Sequence, residues 1–299
     1  MEKIAIIGAG AVGCAFASFF ERAGYPVSLV ARGDNLDEIR KNGIEISENG
    51  EKSVSRVNAT DTPETVGPVD VLIISTKTFD LKSACLSAKP LLKGGTIALC
   101  FQNGLGNEER AEELLGIRPV NSLVRGGFSR AGLGKIEISW PGRVEFGEPD
   151  GNNGTERVKR LSEIFGKAKI PFVLQEDIRH AQWKKFLWNV GFNQVCAITG
   201  KNCGETVSNP KTRELVRSAA LEAVLVGKAL GVPLDEKDAD SILALPPGFE
   251  TFRPSMLQDR DSGRRMETES FGGYVCKKGE ELGIATPVNR TLYSLLSSV

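Results

Sequence analysis

Three glycines near the N-terminus, Gly8, Gly10 and Gly13, stand at the spacing G-x-G-x-x-G within Gly8-Ala9-Gly10-Ala11-Val12-Gly13. That spacing suits a pyrophosphate. The first glycine permits a tight turn, the second lets phosphate approach the backbone, and the third lets a helix pack closely on a strand. Unpaired N–H groups at the start of the following helix then face the anion. A second set lies further along: Lys185, Asn189 and Asn193 recur every four residues, on one helical face, among Phe186, Trp188, Val190 and Phe192. A solvated stripe would carry Glu and Lys at many positions, so one lysine with two asparagines between aromatics reads as the wall of a cleft. A lysine so placed can stabilise a developing alkoxide and then protonate it, which hydride delivery to a ketone requires. The single histidine, His180, opens the same helix and reads as a partly exposed structural residue. A His-Asp base or a histidine metal cluster therefore has at most one candidate.

The glycine turn needs a strand before it and a helix after it. Ile4–Ile7 is a short apolar run, Val12, Phe16, Phe19, Phe20 and Ala23 form one helical face closed by Gly24, and Val27–Val30 supplies the second strand. Past that strand an NAD site usually has Asp or Glu for the ribose 2′-hydroxyl; here stands Arg32, which suits the 2′-phosphate of NADPH. The plainer alternative is a solvated arginine at a strand end. An unbroken apolar run ends in Thr76-Lys77 and another in Gln102-Asn103-Gly104, and ligands of open α/β sheets bind outside such strand ends. Lys77 is accordingly a cofactor or substrate candidate, with a solvated lysine as the alternative. Asn103, a donor and an acceptor beside two glycines, suits a nicotinamide amide or a carboxylate, with a turn asparagine as the alternative.

The remaining signals are organisational. Asp34 is expected to cap a short helix, Asn49-Gly50 to turn a hairpin, and Pro141-Gly142 to turn another between residues 135–140 and 143–147. Strand and helix alternate up to residue 176, and beyond it only helical patterns follow, the first over 178–197 and later ones over 210–230, 235–245, 267–282 and 287–297. The prediction is an α/β protein, with a Rossmann-like dinucleotide-binding domain over 1–176 and an all-helical substrate domain over 177–299. In the second domain Ser255 opens a helix whose N–H groups suit a carboxylate. Glu267 opens another, either orienting Lys185 or a substrate hydroxyl, or simply exposed in a first turn.

Lys plus Arg and Asp plus Glu both number 38, so no basic field exists to hold nucleic acid or an anionic membrane. No apolar run reaches the roughly 18 residues of a membrane span, and the chain enters its first strand without a leader. The six cysteines lack C-x-x-C or metal spacing and sit mostly in apolar runs, which suits buried thiols in a reducing compartment. These features describe a cytoplasmic enzyme for a small molecule, without metal, for which a homodimer is a compatible assembly.

From GAGAVG through STK, QNGLG, FGEPDG, the WKKFLWN helix, SMLQD and ELGIATP, the chain resembles the ketopantoate reductases (2-dehydropantoate 2-reductases) essentially end to end. The resemblance implies NADPH-dependent reduction of 2-dehydropantoate to pantoate, a step toward coenzyme A, with substrate bound between the domains. It makes Lys185 the general acid and Glu267 a second essential carboxylate. It also places Asn103, Asn189, Asn193 and Ser255 around the substrate, and Arg32 and Lys77 near the cofactor. The chain departs from the family's usual residues at Phe252, where Asn is frequent, and at Gln194 and Gly272. Two alternatives stand beside this reading: a paralogue acting on another branched 2-oxo acid, and a catalytically silent NADPH-binding sensor.

Overall fold

In the computed structural model, which describes residues 1–298, the chain divides into two units, Met1–Ile178 and a second that begins at Arg179. The first unit runs β1 (Ile4–Ile7), α1 (Ala11–Arg22), β2 (Val27–Val30), α2 (Asp34–Asn42), β3 (Ile44–Glu48), β4 (Glu51–Ser55), β5 (Asn58–Thr60), β6 (Val71–Ile74) and α3 (Leu81–Ala88). It continues with β7 (Ile97–Cys100), α4 (Asn107–Leu115), β8 (Asn121–Gly132), β9 (Lys135–Gly147), α5 (Glu156–Lys167) and β10 (Phe172–Leu174). Five strands form a parallel sheet in the order β5-β2-β1-β6-β7. Buried throughout, β1, β6 and β7 have the apolar runs expected of strands covered on both faces. The chain winds outward from β1 through β2 and β5, then crosses back to β6, so the topological switch lies between β1 and β6, outside whose ends ligands bind in such sheets. Helix α1 covers the sheet with Phe16 and Phe20, whose rings meet Phe101 and Phe165.

A second sheet has the order β10-β9-β3-β4, with β8 paired to β9. Its β3–β4 turn places Asn49 at φ 52 and Gly50 at φ 81, the conformations a type I′ turn requires. The expected hairpin at Pro141-Gly142 is not there. β8 and β9 are long antiparallel partners, and Pro141-Gly142 lies inside β9 as a bulge, between the pairs Gly127↔Trp140 and Arg125↔Arg143. Proline is tolerated at a bulge because it has no N–H to offer the ladder. Gly142 takes φ +64, and a Cβ there would sit 1.6 Å from the carbonyl oxygen of Arg125. On its other edge β9 meets β3 through residues 135–138 and β10 through residues 144–146, so the bulge marks a change of neighbour. Asp34 does not cap α2 either; Gly33 precedes the helix with no side-chain bond, and Asp34 is its first residue.

Asp70 anchors the far end of the parallel sheet. Its carboxylate accepts the Lys3 N–H at 2.8 Å and faces Lys93 at 2.9 Å and Arg160 of α5 at 3.0 Å. Burial pushes this carboxyl up, but those three donors outweigh it and pull it from 3.8 down to about 2.

The second unit is helical: α6 (Ile178–Trp188), a π turn at Asn189–Asn193, α7 (Gln194–Thr199), α8 (Cys203–Ser208), α9 (Pro210–Ala229), α10 (Glu236–Ser241), α11 (Ser255–Asp261), α12 (Gly272–Leu282) and α13 (Pro287–Leu296). The helix expected over 178–197 is thus one run widened by a π turn in its middle. The expected helix over 267–282 begins only at Gly272, because Glu267 precedes a separate 3₁₀ turn, Thr268–Ser270. Likewise the helix expected over 235–245 is shorter, with Asp235 as its capping residue. Asn209 caps α9 by accepting the Lys211 N–H at 2.9 Å, with Pro210 in the first turn. All six cysteines are free and buried, and no described helix is long and apolar enough to cross a membrane.

Candidate functional site

At the C-terminal ends of β1 and β6 the glycine turn packs to the limit. Gly8 takes φ +111, and a Cβ there would lie 2.7 Å from the Thr76 nitrogen. One on Gly13 would lie 1.9 Å from the Gly8 oxygen and 2.5 Å from Ser75 Oγ, which itself donates to the Gly8 carbonyl at 2.9 Å. Gly10 is different in kind: nothing lies within 4 Å of its absent Cβ. As the residue preceding α1 it has no side chain to cap the helix, and the first turn carries no acid. No capping side chain and no acid therefore fills the start of α1, and its N–H groups with the helix dipole behind them make an arrangement that fits a pyrophosphate. Ala9, Ala11 and Val12 are half-buried around this opening.

Beyond β2, the side chain of Arg32 is 79% exposed and meets Asp80 at 3.0 Å. Asn35, which the sequence reading passed over, donates to the Ala9 carbonyl and accepts the Gly134 N–H, both at 2.9 Å, tying the glycine turn to the β8–β9 turn. Lys77 and Asn103 are half-buried at the ends of β6 and β7. Gln102 joins those ends, its Nε2 donating to Thr76 Oγ1 at 3.2 Å and to the Lys77 carbonyl at 3.3 Å. Its buried Oε1 has no partner among the described residues, leaving an acceptor beside both candidates. The Asn103 backbone is fixed in turn, its carbonyl accepting Asn107 Nδ2 at 3.1 Å.

In the helical unit, Asn189 and Asn193 fall within the π turn and are buried, with Asn193 only 2% exposed. They do not form the solvated stripe weighed above. Asn193 Nδ2 donates to Asn189 Oδ1 at 3.3 Å, and its Oδ1 accepts the Met256 N–H at 3.5 Å, so the pair lies against the first turn of α11, where Ser255 stands half-buried. Lys185 is half-buried one turn before Asn189. Glu267 is 6% exposed, so it is not an exposed first-turn glutamate. His180 approaches Asp238 Oδ2 at 4.0 Å, and Lys184 meets the other oxygen of the same carboxylate at 3.1 Å. His180 thereby belongs to the packing of α6 on α10.

Phe252 is half-buried in an aromatic row. Its ring stacks on Phe249 with centroids 4.9 Å apart and meets Trp188 at 5.9 Å, and Trp188 stacks on Phe192 at 5.0 Å. The row joins the helix that carries Asn189 to the segment leading into Ser255. No group of His, Cys, Asp and Glu among the described residues could hold a metal ion.

Two family models match the chain, "Ketopantoate reductase PanE/ApbA" over residues 4–151 and "Ketopantoate reductase PanE/ApbA C terminal" over residues 177–299. A 2-dehydropantoate 2-reductase of Archaeoglobus fulgidus is 31% identical over 301 residues, covering 100% of this chain and 98% of the relative. Among solved structures, the 2-dehydropantoate 2-reductase of Geobacter metallireducens superposes with a TM-score of 0.92 at 29% identity, covering 99% of each chain. A D-mandelate dehydrogenase in ternary complex with NADH and anilino(oxo)acetate has the same fold, with a TM-score of 0.92, 24% identity and coverage of 99% and 97%.

Proposed function

Because this chain belongs to the ketopantoate reductase family, we propose that it is an NADPH-dependent reductase of 2-oxo acids, and that its substrate is 2-dehydropantoate, reduced to pantoate toward coenzyme A. One observation carries the reading most: the buried Asn189–Asn193 pair lies on the helix of Lys185 and against the first turn of α11. Buried amides keep their place only when their bonding capacity is used, and a small polar substrate uses it.

In this proposal residues 1–176 hold the cofactor and residues 177–299 the substrate. Gly8 to Gly13 and the start of α1 receive the pyrophosphate, Arg32 the 2′-phosphate, and Lys77 and Asn103 the nicotinamide end. When bound, NADPH supplies the hydride to the carbonyl carbon. Lys185 Nζ donates a hydrogen bond to the carbonyl oxygen, stabilises charge as it develops there, and gives up its proton to form the hydroxyl. Ser255 and the N–H groups of α11 take the carboxylate, while Asn103, Asn189 and Asn193 orient the rest of the substrate. Glu267 holds the Lys185 ammonium or a substrate hydroxyl. Six free, buried thiols suit a reducing cytoplasm.

Phe252 favours a second reading, a paralogue for a 2-oxo acid without the hydroxyl of 2-dehydropantoate, since a phenyl ring stacked on Phe249 offers that hydroxyl no partner. Lys185, Asn189 and Glu267 together argue against a silent sensor. The test follows NADPH absorbance with 2-dehydropantoate and a panel of 2-oxo acids. Lys185→Ala should cost about 10² to 10⁴ in turnover and leave NADPH binding nearly intact. Normal turnover in that variant would move the proton donor elsewhere.

A further inference from the structure

Gln194, the first residue of α7, is fully buried directly after the π turn. Its backbone N–H donates to the Gly191 carbonyl, three residues back. The side chain reaches back along the turn, with Nε2 donating to the Val190 carbonyl at 2.8 Å and to Asn289 Oδ1 at 3.0 Å. Both amide hydrogens are thereby used. Asn289 is itself held, its Nδ2 donating to the Ala219 carbonyl at 2.9 Å and to Glu222 Oε2 at 2.8 Å. Glu222 in turn accepts the Val288 and Asn289 N–H groups at the start of α13, at 2.8 and 2.9 Å. Gly272 completes the fit: a Cβ there would stand 2.2 Å from Gln194 Oε1 and 3.1 Å from the Cβ of Tyr293. The amide occupies the space that any other residue at 272 would need, so two of the three departures noted in the sequence, Gln194 and Gly272, form one feature.

We propose that Gln194, seated against Gly272 and clamped by Asn289, is a positioning residue that holds the π turn open and so fixes Asn189 relative to Asn193. This rests on the reading of those asparagines as substrate ligands. Without the amide the turn relaxes toward α-helical pitch, and the two asparagines lose their register with α11.

The test compares Gln194→Met, which keeps volume but no donor, with Gly272→Ala and with Gly272→Ala in Gln194→Ala. Gln194→Met should raise the KM for the 2-oxo acid about tenfold or more while the KM for NADPH stays within about twofold, a ratio independent of the folded fraction. Gly272→Ala should do the same, and its effect should largely disappear once Gln194 is already Ala, because residues in contact do not act additively. Amide hydrogen exchange over residues 189–193 should quicken in Gln194→Met while exchange in the parallel sheet does not change. A Gln194→Met enzyme with wild-type KM values and exchange overturns the proposal, as does strict additivity with Gly272→Ala. A Gln194→Met chain that does not fold also overturns it, by making the amide structural. A wild-type chain that reduces no 2-oxo acid removes the proposed function instead, and exchange over the turn still decides whether Gln194 holds it.

Discussion

Among the described residues Arg32 forms its ion pair with Asp80, and its side chain is mostly exposed, so its contribution to cofactor choice follows from charge and distance. A 2′-phosphate carries about two negative charges at neutral pH. At about 4 Å in water each unit of charge is worth about 1 kcal/mol, so Arg32→Ala should cost NADPH about 2 kcal/mol, roughly 30-fold in affinity. NADH lacks that phosphate and should lose almost nothing. Asp80 works in the opposite direction: its carboxylate, 3.0 Å from the same guanidinium, competes for the donors and repels an incoming phosphate. At about 6 Å that repulsion is about 0.7 kcal/mol per unit charge in water, so Asp80→Asn should tighten NADPH several-fold. Both effects should fade as ionic strength rises, since the groups are exposed. Fluorescence titration of each variant with NADPH and NADH at low and high salt makes the measurement. Equal losses for the two cofactors in Arg32→Ala, or weaker NADPH binding in Asp80→Asn, would refute the assignment.

Two other substitutions separate substrate choice from stability. Phe252→Asn should raise the ratio of kcat/KM for 2-dehydropantoate over 2-oxoisovalerate at least about tenfold, or about 1.4 kcal/mol of discrimination, at some cost in melting temperature from the broken aromatic row. An unchanged ratio would take Phe252 out of the substrate site. Asp70→Asn should lower unfolding free energy in urea by about 2 kcal/mol at pH 7, because a carboxyl pulled down to about 2 by folding stabilises the native state only while ionised. That stability is full above the unfolded carboxyl's value of about 3.9 and is lost as pH falls toward 2, so the two curves should converge at acid pH. Curves that stay parallel down to pH 2 would show that Asp70 acts through packing.

What the sequence disclosed was what its neighbours along the chain decide. The Asn49-Gly50 turn and the Asn209-Pro210 helix start each depend on a few adjacent residues and each stands in the structure as expected, whereas the glycine spacing was legible but the crowding of Gly8 and Gly13 by Thr76 and Ser75 was not. Pro141-Gly142 carries the same local signal as a turn, yet its role as a bulge is set by Arg125 on another strand. The π turn was hidden because apolar periodicity over 178–197 is nearly the same for a helix that widens for one turn. The Asn35 bridge depends on Gly134, distant in sequence, and the burial of Glu267 is not signalled by its position before a helix. For Gln194 a signal did exist, a polar side chain inside an apolar run, but its partner Asn289 was not readable from spacing.

The way β9 borders β3 has a consequence for synthesis. The β3–β4 hairpin closes on itself within a dozen residues, but the partner of Glu45 is Lys135, about 90 positions later, and non-local pairings of this kind form slowly. While a ribosome makes the intervening chain, β3 has one bare edge whose side chains include Ile44 and Ile46. The outer edge of β4 is guarded by Glu51 and Lys52, as permanent edges commonly are, whereas that of β3 relies on a strand yet to arrive. Nascent chains stalled between residues 60 and 135 should therefore be the ones that aggregate through β3, and a substitution that weakens β9 should reduce soluble yield more than it reduces the stability of enzyme already folded.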